Sequence, residues 1–208
     1  MSEERSAWIH TVPEGNVSGG DLAEAYGHYR DFMGYVSKFI TALSLRPEVI
    51  SPLTDFQSSL GFGSSSLGKR REEILNVSVS ALNQCSYCQV SHTYSLRRIL
   101  GDDADQIIDP ICNWELLIDA ATTADRGSSI EGLDEGDLSM LTFAHRLTTT
   151  PGSMHESDIS MLREYGFTDT NILDIVLLTS WRNFVNRVCE ALGVEPENKE
   201  RFLARKAF

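Results

Sequence analysis

From Asp21 onward the apolar residues of this chain recur at intervals of three and four, and no segment reads convincingly as a strand. In "DLAEAYGHYRDFMGYVSKFITALSLRPEV", Leu22, Tyr26, Tyr29, Phe32, Met33, Val36, Phe39 and Ile40 keep helical spacing, with Gly27 and Gly34 as candidate breaks. Pro47 is placed to open the next helix and Pro52 to kink or divide it. "KRREEILNVSVSAL" alternates from Leu75 to Val79, but its length and charged start favour a helix. "CSYCQVSHTYSLRRIL" follows, with Asn83 as a candidate N-cap and Gly101 as a C-cap. Further helices are expected in "ADQIIDPICNWELLIDAATTA", divided at Pro110, in "DEGDLSMLTFAHRLTT", in "HESDISMLREYG" and in "TDTNILDIVLLTSWRNFVNRVCEALG". The class is all-α. Residues 1–20, polar and glycine-rich, are expected as a flexible N-terminal arm, and 21–208 as a single all-helical domain. The segments "REEILNVSVSALNQCSYCQVSHTYSL" and "TNILDIVLLTSWRNFVNRVCEAL" echo each other faintly, as in an internal duplication whose first copy alone carries a cysteine pair.

The formal charge is −12, from 30 acidic against 18 basic side chains, which argues against nucleic acid and anionic membrane surfaces as partners. No run of about 18 apolar residues offers a membrane span, and "MSEERSAWIH" lacks the apolar stretch of a secretory signal, so a cytoplasmic location is expected. In a reducing compartment four cysteines do not make a disulfide framework. Cys112 and Cys189 are expected as lone, small buried hydrophobes.

That leaves "NQCSYCQVSH", residues 83–92. With Cys85 near a helix start, unpaired N–H groups and the helix dipole favour a thiolate. Cys88 lies one turn on, on the same face, where Cβ atoms are about 5–6 Å apart against about 3.8 Å in a disulfide. A small relaxation of the turn closes that gap. His92 is a further turn along and can accept a thiol proton, and Glu72 or Glu73 of the preceding helix could face the pair as a proton relay. Two other readings compete. Zinc would need a fourth ligand beyond this C-x-x-C-x-x-x-H, drawn from His28, His145 or His155, and no second C-x-x-C exists. The cysteines could also be plain core residues. A thioredoxin-like site would need a preceding strand, which is absent from the pattern. Redox chemistry accounts best for two thiols and a base on one face.

"REEILNVSVSALNQCSYCQVSH" resembles the core of the alkyl hydroperoxidase D and carboxymuconolactone decarboxylase-like superfamily, in which a glutamate precedes C-x-x-C-x-x-x-H by twelve positions; here that is Glu73. "FITALSLRPEVISPL", "LSMLTFAHRLTTTPGSMHESDISMLREYGFTDTNILDIV" and "NFVNRVCEALGVE" resemble its peroxidase-related branch, so the likeness covers nearly the whole chain after about residue 30. The resemblance implies an alkyl hydroperoxidase D-like helical bundle assembled as a homo-oligomer, a trimer or hexamer, that reduces organic hydroperoxides. By the same resemblance Cys88 attacks the peroxide with His92 as its activator, Cys85 resolves the sulfenic acid, and Glu73 relays protons. No bound cofactor or metal is implied; an external dithiol of lipoamide or thioredoxin type would supply the reducing equivalents. One departure is Tyr87, which stands where the well-known hydroperoxidases carry a second histidine, and could serve as a relay or line the pocket. A decarboxylase-like lyase and a non-catalytic redox sensor are the alternatives.

Overall fold

In the computed structural model, which describes residues 6–122 and 130–198, the helical spacing is realised as ten α-helices and no strand among the described residues. They are α1 (Asp21–Met33), α2 (Lys38–Ala42), α3 (Pro47–Leu60), α4 (Gly68–Leu82), α5 (Ser86–Leu100), α6 (Ala104–Ile111), α7 (Trp114–Thr122), α8 (Glu135–Thr149), α9 (Glu156–Glu164) and α10 (Asp169–Leu192). Gly34 ends α1 in the left-handed conformation, whereas Gly27 lies within the helix. Pro47 opens α3, and Pro52 does not divide it, for α3 continues to Leu60. Pro110 sits inside α6, and the break falls just after it, before Trp114.

Helix α4 is the centre of the molecule, packing against α5, α6, α8 and α10. Every residue from Glu72 to Ser80 is buried. A helix covered on all sides has no polar face, which is why this segment shows alternation rather than a clear helical stripe. Its polar side chains are satisfied internally. Glu72 accepts from the Gly63 and Ser65 backbone N–H groups at 2.6 and 3.0 Å, and Ser78 Oγ donates to the Ile111 carbonyl at 2.8 Å. At the entrance to α8, the fully buried Asp137 accepts from Arg70 and Arg71 of α4 at 2.7 and 2.8 Å, which fixes the two helices against each other.

Two expectations are corrected by packing. Residues 6–20 lie along the helical body instead of forming a loose arm, while residues 1–5 fall outside the described residues. Trp8 N–H donates to the Leu192 carbonyl at 2.7 Å, Val12 N–H to Ser44 Oγ at 2.9 Å, and Tyr26 Oη to the Val12 carbonyl at 2.7 Å. The Trp8 ring covers Gly193, the left-handed cap of α10, where any Cβ would collide with it. Second, the segment that echoes α4 and α5 is one unbroken helix of 24 residues, α10, so the helix–turn–helix of the first copy has no counterpart there.

Candidate active site

The turn between α4 and α5 brings the site together. Cys85 N–H donates to the Ser80 carbonyl and Gln89 N–H to the Cys85 carbonyl, both at 2.9 Å, and Gln84 adopts a left-handed φ of 56°. This makes Cys85 itself the N-cap of α5, two positions past the expected Asn83, and puts Cys88 in the first turn. Asn83 is not the cap. It closes α4, and its side-chain amide donates to Asn183 and Asn186 of α10 at 2.9 and 3.0 Å.

Cys85 and Cys88 are buried, and so is a third cysteine, Cys189 of α10. The three Sγ atoms lie within 4.8 Å of one another. Cys189 is therefore not a lone core residue, and Cys112, expected buried, is exposed. The histidines considered as a fourth ligand are engaged elsewhere: His28 with Asp55 at 2.7 Å, His145 against the Trp114 ring, and His155 at the N-cap of α9.

One turn beyond Cys88, the buried His92 meets the buried Glu73, with Nδ1 and Oε2 2.7 Å apart. With Glu73 as carboxylate, Nδ1 carries the proton and Nε2 is left as the base. Glu72, the other candidate carboxylate, is occupied by the 63–65 loop. Arg182 of α10, also buried, donates from Nε to Asn76 Oδ1 at 3.0 Å.

These neighbours set the ionisation of the thiols. Burial opposes the Cys88 thiolate, but the thiols of Cys189 and Cys85, the Arg182 cation and His92 together hold Cys88 well below the usual thiol range. At Cys85 the contact with Cys189 pulls downward, and is outweighed by the contact with Cys88 and by burial, leaving it pushed up to about 12. Cys189, next to Cys85 and Cys88 and buried, is pushed upward as well. Burial, then the Arg182 charge, lower His92 despite Glu73, which favours neutral imidazole. The result is one thiol biased toward thiolate beside two biased toward the protonated form.

Cys88 lies at a narrow pocket with a cavity volume of about 40 Å³, lined by Tyr29, Met33, Phe39, Phe62 and Trp181, with His92 and Arg182 on its polar side. An apolar body with a few converging polar groups is the usual character of a small-molecule site. Tyr87 also lines it, and its hydroxyl donates to Glu197 Oε1 at 3.2 Å rather than reaching toward Glu73. Burial pushes the Tyr87 phenol well up, which opposes release of its proton. A second cavity, lined by Lys69, Glu73, Tyr94 and Arg98, adjoins the carboxylate of the Glu73–His92 pair.

Sequence spacing placed Cys85, Cys88, His92 and a glutamate of α4 as candidates, and the fold gathers them. It missed Cys189 as part of the site. The signal was the stripe Arg182, Asn186, Cys189 along α10, polar and buried at helical spacing.

Residues 47–125 match the model of the carboxymuconolactone decarboxylase family. Among solved structures, the chain is similar to an uncharacterized peroxidase-related protein from Ralstonia eutropha JMP134, described as an alkylhydroperoxidase AhpD core, with 27% identity over 96% of each chain and a TM-score of 0.73. A second uncharacterized peroxidase-related protein, from Silicibacter sp. TM1040, is 25% identical over 97% of each chain, with a TM-score of 0.74. The debrominase Bmp8 shares the fold alone, at 13% identity over 88% of this chain and 90% of that one, with a TM-score of 0.62. No curated protein matches the chain.

Proposed function

We propose that this chain, a member of the alkyl hydroperoxidase D and carboxymuconolactone decarboxylase-like superfamily, is a thiol-dependent peroxidase that reduces organic hydroperoxides through a cysteine disulfide cycle. The observation that carries this is Cys88: a thiol biased toward thiolate, in the first turn of α5, open to an aromatic-lined pocket and backed by the Glu73–His92 pair. A thiolate in such a place is a nucleophile, and the pocket selects an apolar partner.

The cycle uses groups already in place. Cys88 gives its proton to His92, whose imidazolium is supported by Glu73. The thiolate attacks one peroxide oxygen, the O–O bond breaks, and the departing alkoxide takes the proton from His92 to leave as an alcohol. Cys88 is now a sulfenic acid. The Cys85 thiol attacks its sulfur, and the hydroxyl leaves with the Cys85 proton as water, giving a Cys85–Cys88 disulfide. An external dithiol reduces this disulfide and is itself oxidised to one. With Cys85 and Cys189 fully covered and Cys88 open only through its pocket, a slender dithiol arm of lipoamide type suits the entrance better than the broad face of a thioredoxin. Such a cycle belongs in a reducing compartment, the cytoplasm; among the described residues no helix is long and apolar enough to cross a membrane. Superfamily membership supports assembly as a homo-oligomer, which light scattering of the chain measures.

The test is mass spectrometry of alkylated protein after brief exposure to cumene hydroperoxide, for the wild type, Cys88→Ser and Cys85→Ser, beside an assay of peroxide consumption with dihydrolipoamide. Rapid loss of both thiols in the wild type, loss of the Cys88 thiol in Cys85→Ser, and no turnover by Cys88→Ser are expected. Unreacted thiols at excess peroxide overturn the proposal. The family-model match favours one second reading, a lactone decarboxylase; decarboxylation that survives loss of Cys85 and Cys88 would establish it.

A further inference from the structure

Cys189 lies outside the C-x-x-C and comes from a different helix, yet its sulfur is within 4.8 Å of both Cys85 and Cys88. Its placement is fixed rather than incidental. Along α10, Arg182, Asn186 and Cys189 are all buried and fall at helical spacing on one face. Asn186 accepts from Asn83 at 3.0 Å and donates to Ser80 Oγ at 3.2 Å. Asn83 and Ser80 are on the α4 side of the turn that carries Cys85, so these bonds hold the Cys189 end of α10 in register with the cysteine pair.

Resting on the peroxidase reading, we propose that Cys189 is a second resolving cysteine, which captures the Cys88 sulfenic acid as a Cys88–Cys189 disulfide joining α5 to α10. The chemistry balances as it does for Cys85. The Cys189 sulfur attacks the Cys88 sulfur, the S–O bond breaks, and the hydroxyl leaves with the Cys189 proton as water. An external dithiol then restores both thiols. In the reduced protein, contacts with Cys85 and Cys88 and the negative Cys88 sulfur help keep Cys189 protonated. Once Cys88 is a neutral sulfenic acid that charge is gone, and a neighbouring thiol ionises more readily. Two thiols within reach of one sulfenic acid shorten its lifetime, and so protect it from irreversible oxidation to the sulfinic acid.

Trypsin separates the partners cleanly, since Cys85 and Cys88 share peptide 72–97 while Cys189 lies in 188–199. Cys85→Ser, Cys189→Ser and the double variant are treated with one equivalent of cumene hydroperoxide, then with dimedone and an alkylating agent, and digested without reduction. Circular dichroism establishes that each is folded. In Cys85→Ser, 72–97 is expected linked to 188–199, with turnover reduced by about tenfold rather than abolished. The double variant is expected to accumulate the dimedone adduct on Cys88 and to stop after one equivalent. A Cys88 adduct or sulfinic acid in Cys85→Ser beside an unmodified Cys189 overturns the inference and leaves the peroxidase standing. If Cys88 does not react with peroxide in any variant, the peroxidase reading fails instead. Diamide, a thiol oxidant that is not a peroxide, then decides the pairing: a cross-link in Cys85→Ser keeps Cys189 as a disulfide partner, and its absence removes it.

Discussion

At Cys88, burial works against the thiolate while two thiols, the Arg182 cation and His92 work for it, and the balance lies with the charged form. A depressed thiol pKa means that the nucleophile persists as pH falls, where an ordinary cysteine is already protonated. Between pH 9 and pH 7 a free thiol of pKa near 8.5 loses roughly 25-fold of its thiolate. The rate of Cys88 oxidation, followed by stopped-flow tryptophan fluorescence or quenched mass spectrometry, is expected to fall less steeply than that over the same interval. Arg182→Met removes a buried positive charge and moves the protonation limb upward in pH; an unmoved limb would show that the thiols alone hold the thiolate. Glu73 acts through His92 and not on the substrate, so it is a positioning residue. Glu73→Gln keeps an oxygen for Nδ1–H but loses the charge behind the imidazolium, and Cys88 oxidation is expected to slow by about 10²-fold. A structural role alone would lower stability without shifting the pH profile, and the profile separates the two.

The junction of α4 and α5 is where element geometry meets chemistry. Gln84 holds a left-handed φ of 56° in the tight turn that makes Cys85 the cap of α5, and its side chain is exposed. A residue with a Cβ is disfavoured there by about 1 kcal/mol relative to glycine. Gln84→Gly is therefore expected to raise the melting temperature by roughly 2–4 °C in a chain of this size, measured by calorimetry, and a drop would mean that the glutamine side chain makes a contact worth more than the strain. The same junction explains what the sequence could and could not reveal. Cys85, Cys88 and His92 are neighbours along one helix, so their spacing alone put them on one face. Glu73 is reached by a short hairpin, and pattern narrowed it to two adjacent residues, which the Glu72 bonds to the 63–65 loop then separate. Cys189 is about a hundred positions away, and its approach depends on how α10 crosses the α4–α5 turn, which no local period encodes. The N-terminal segment misled for a related reason. Its polar, glycine-rich composition hides a few anchoring groups, such as Trp8 and Val12, whose partners lie on distant helices.

Over the whole molecule, the charge of −12 surrounds a pocket whose walls are mostly apolar and aromatic. The two scales make different demands on a substrate. Inside, Phe39, Phe62 and Trp181 favour a hydrocarbon body close to Cys88, irrespective of a charge at its far end. Outside, the acidic field acts on any anion before it arrives, because charges interact over about 10 Å at 0.1 M salt and about 30 Å at 0.01 M. A hydroperoxide carrying a carboxylate should thus be repelled at low salt, whereas cumene hydroperoxide is neutral and should not. Raising ionic strength from 10 to 200 mM is expected to increase kcat/KM for a fatty-acid hydroperoxide by about two- to fivefold, leaving cumene hydroperoxide unchanged. Arg182 supplies the opposing possibility, a positive charge at the pocket itself. If it governs capture, the fatty-acid rate falls with salt instead, and Arg182→Met removes that dependence. Steady-state measurements on the two substrates at four salt concentrations decide whether the outer field or the inner cation selects what reaches Cys88.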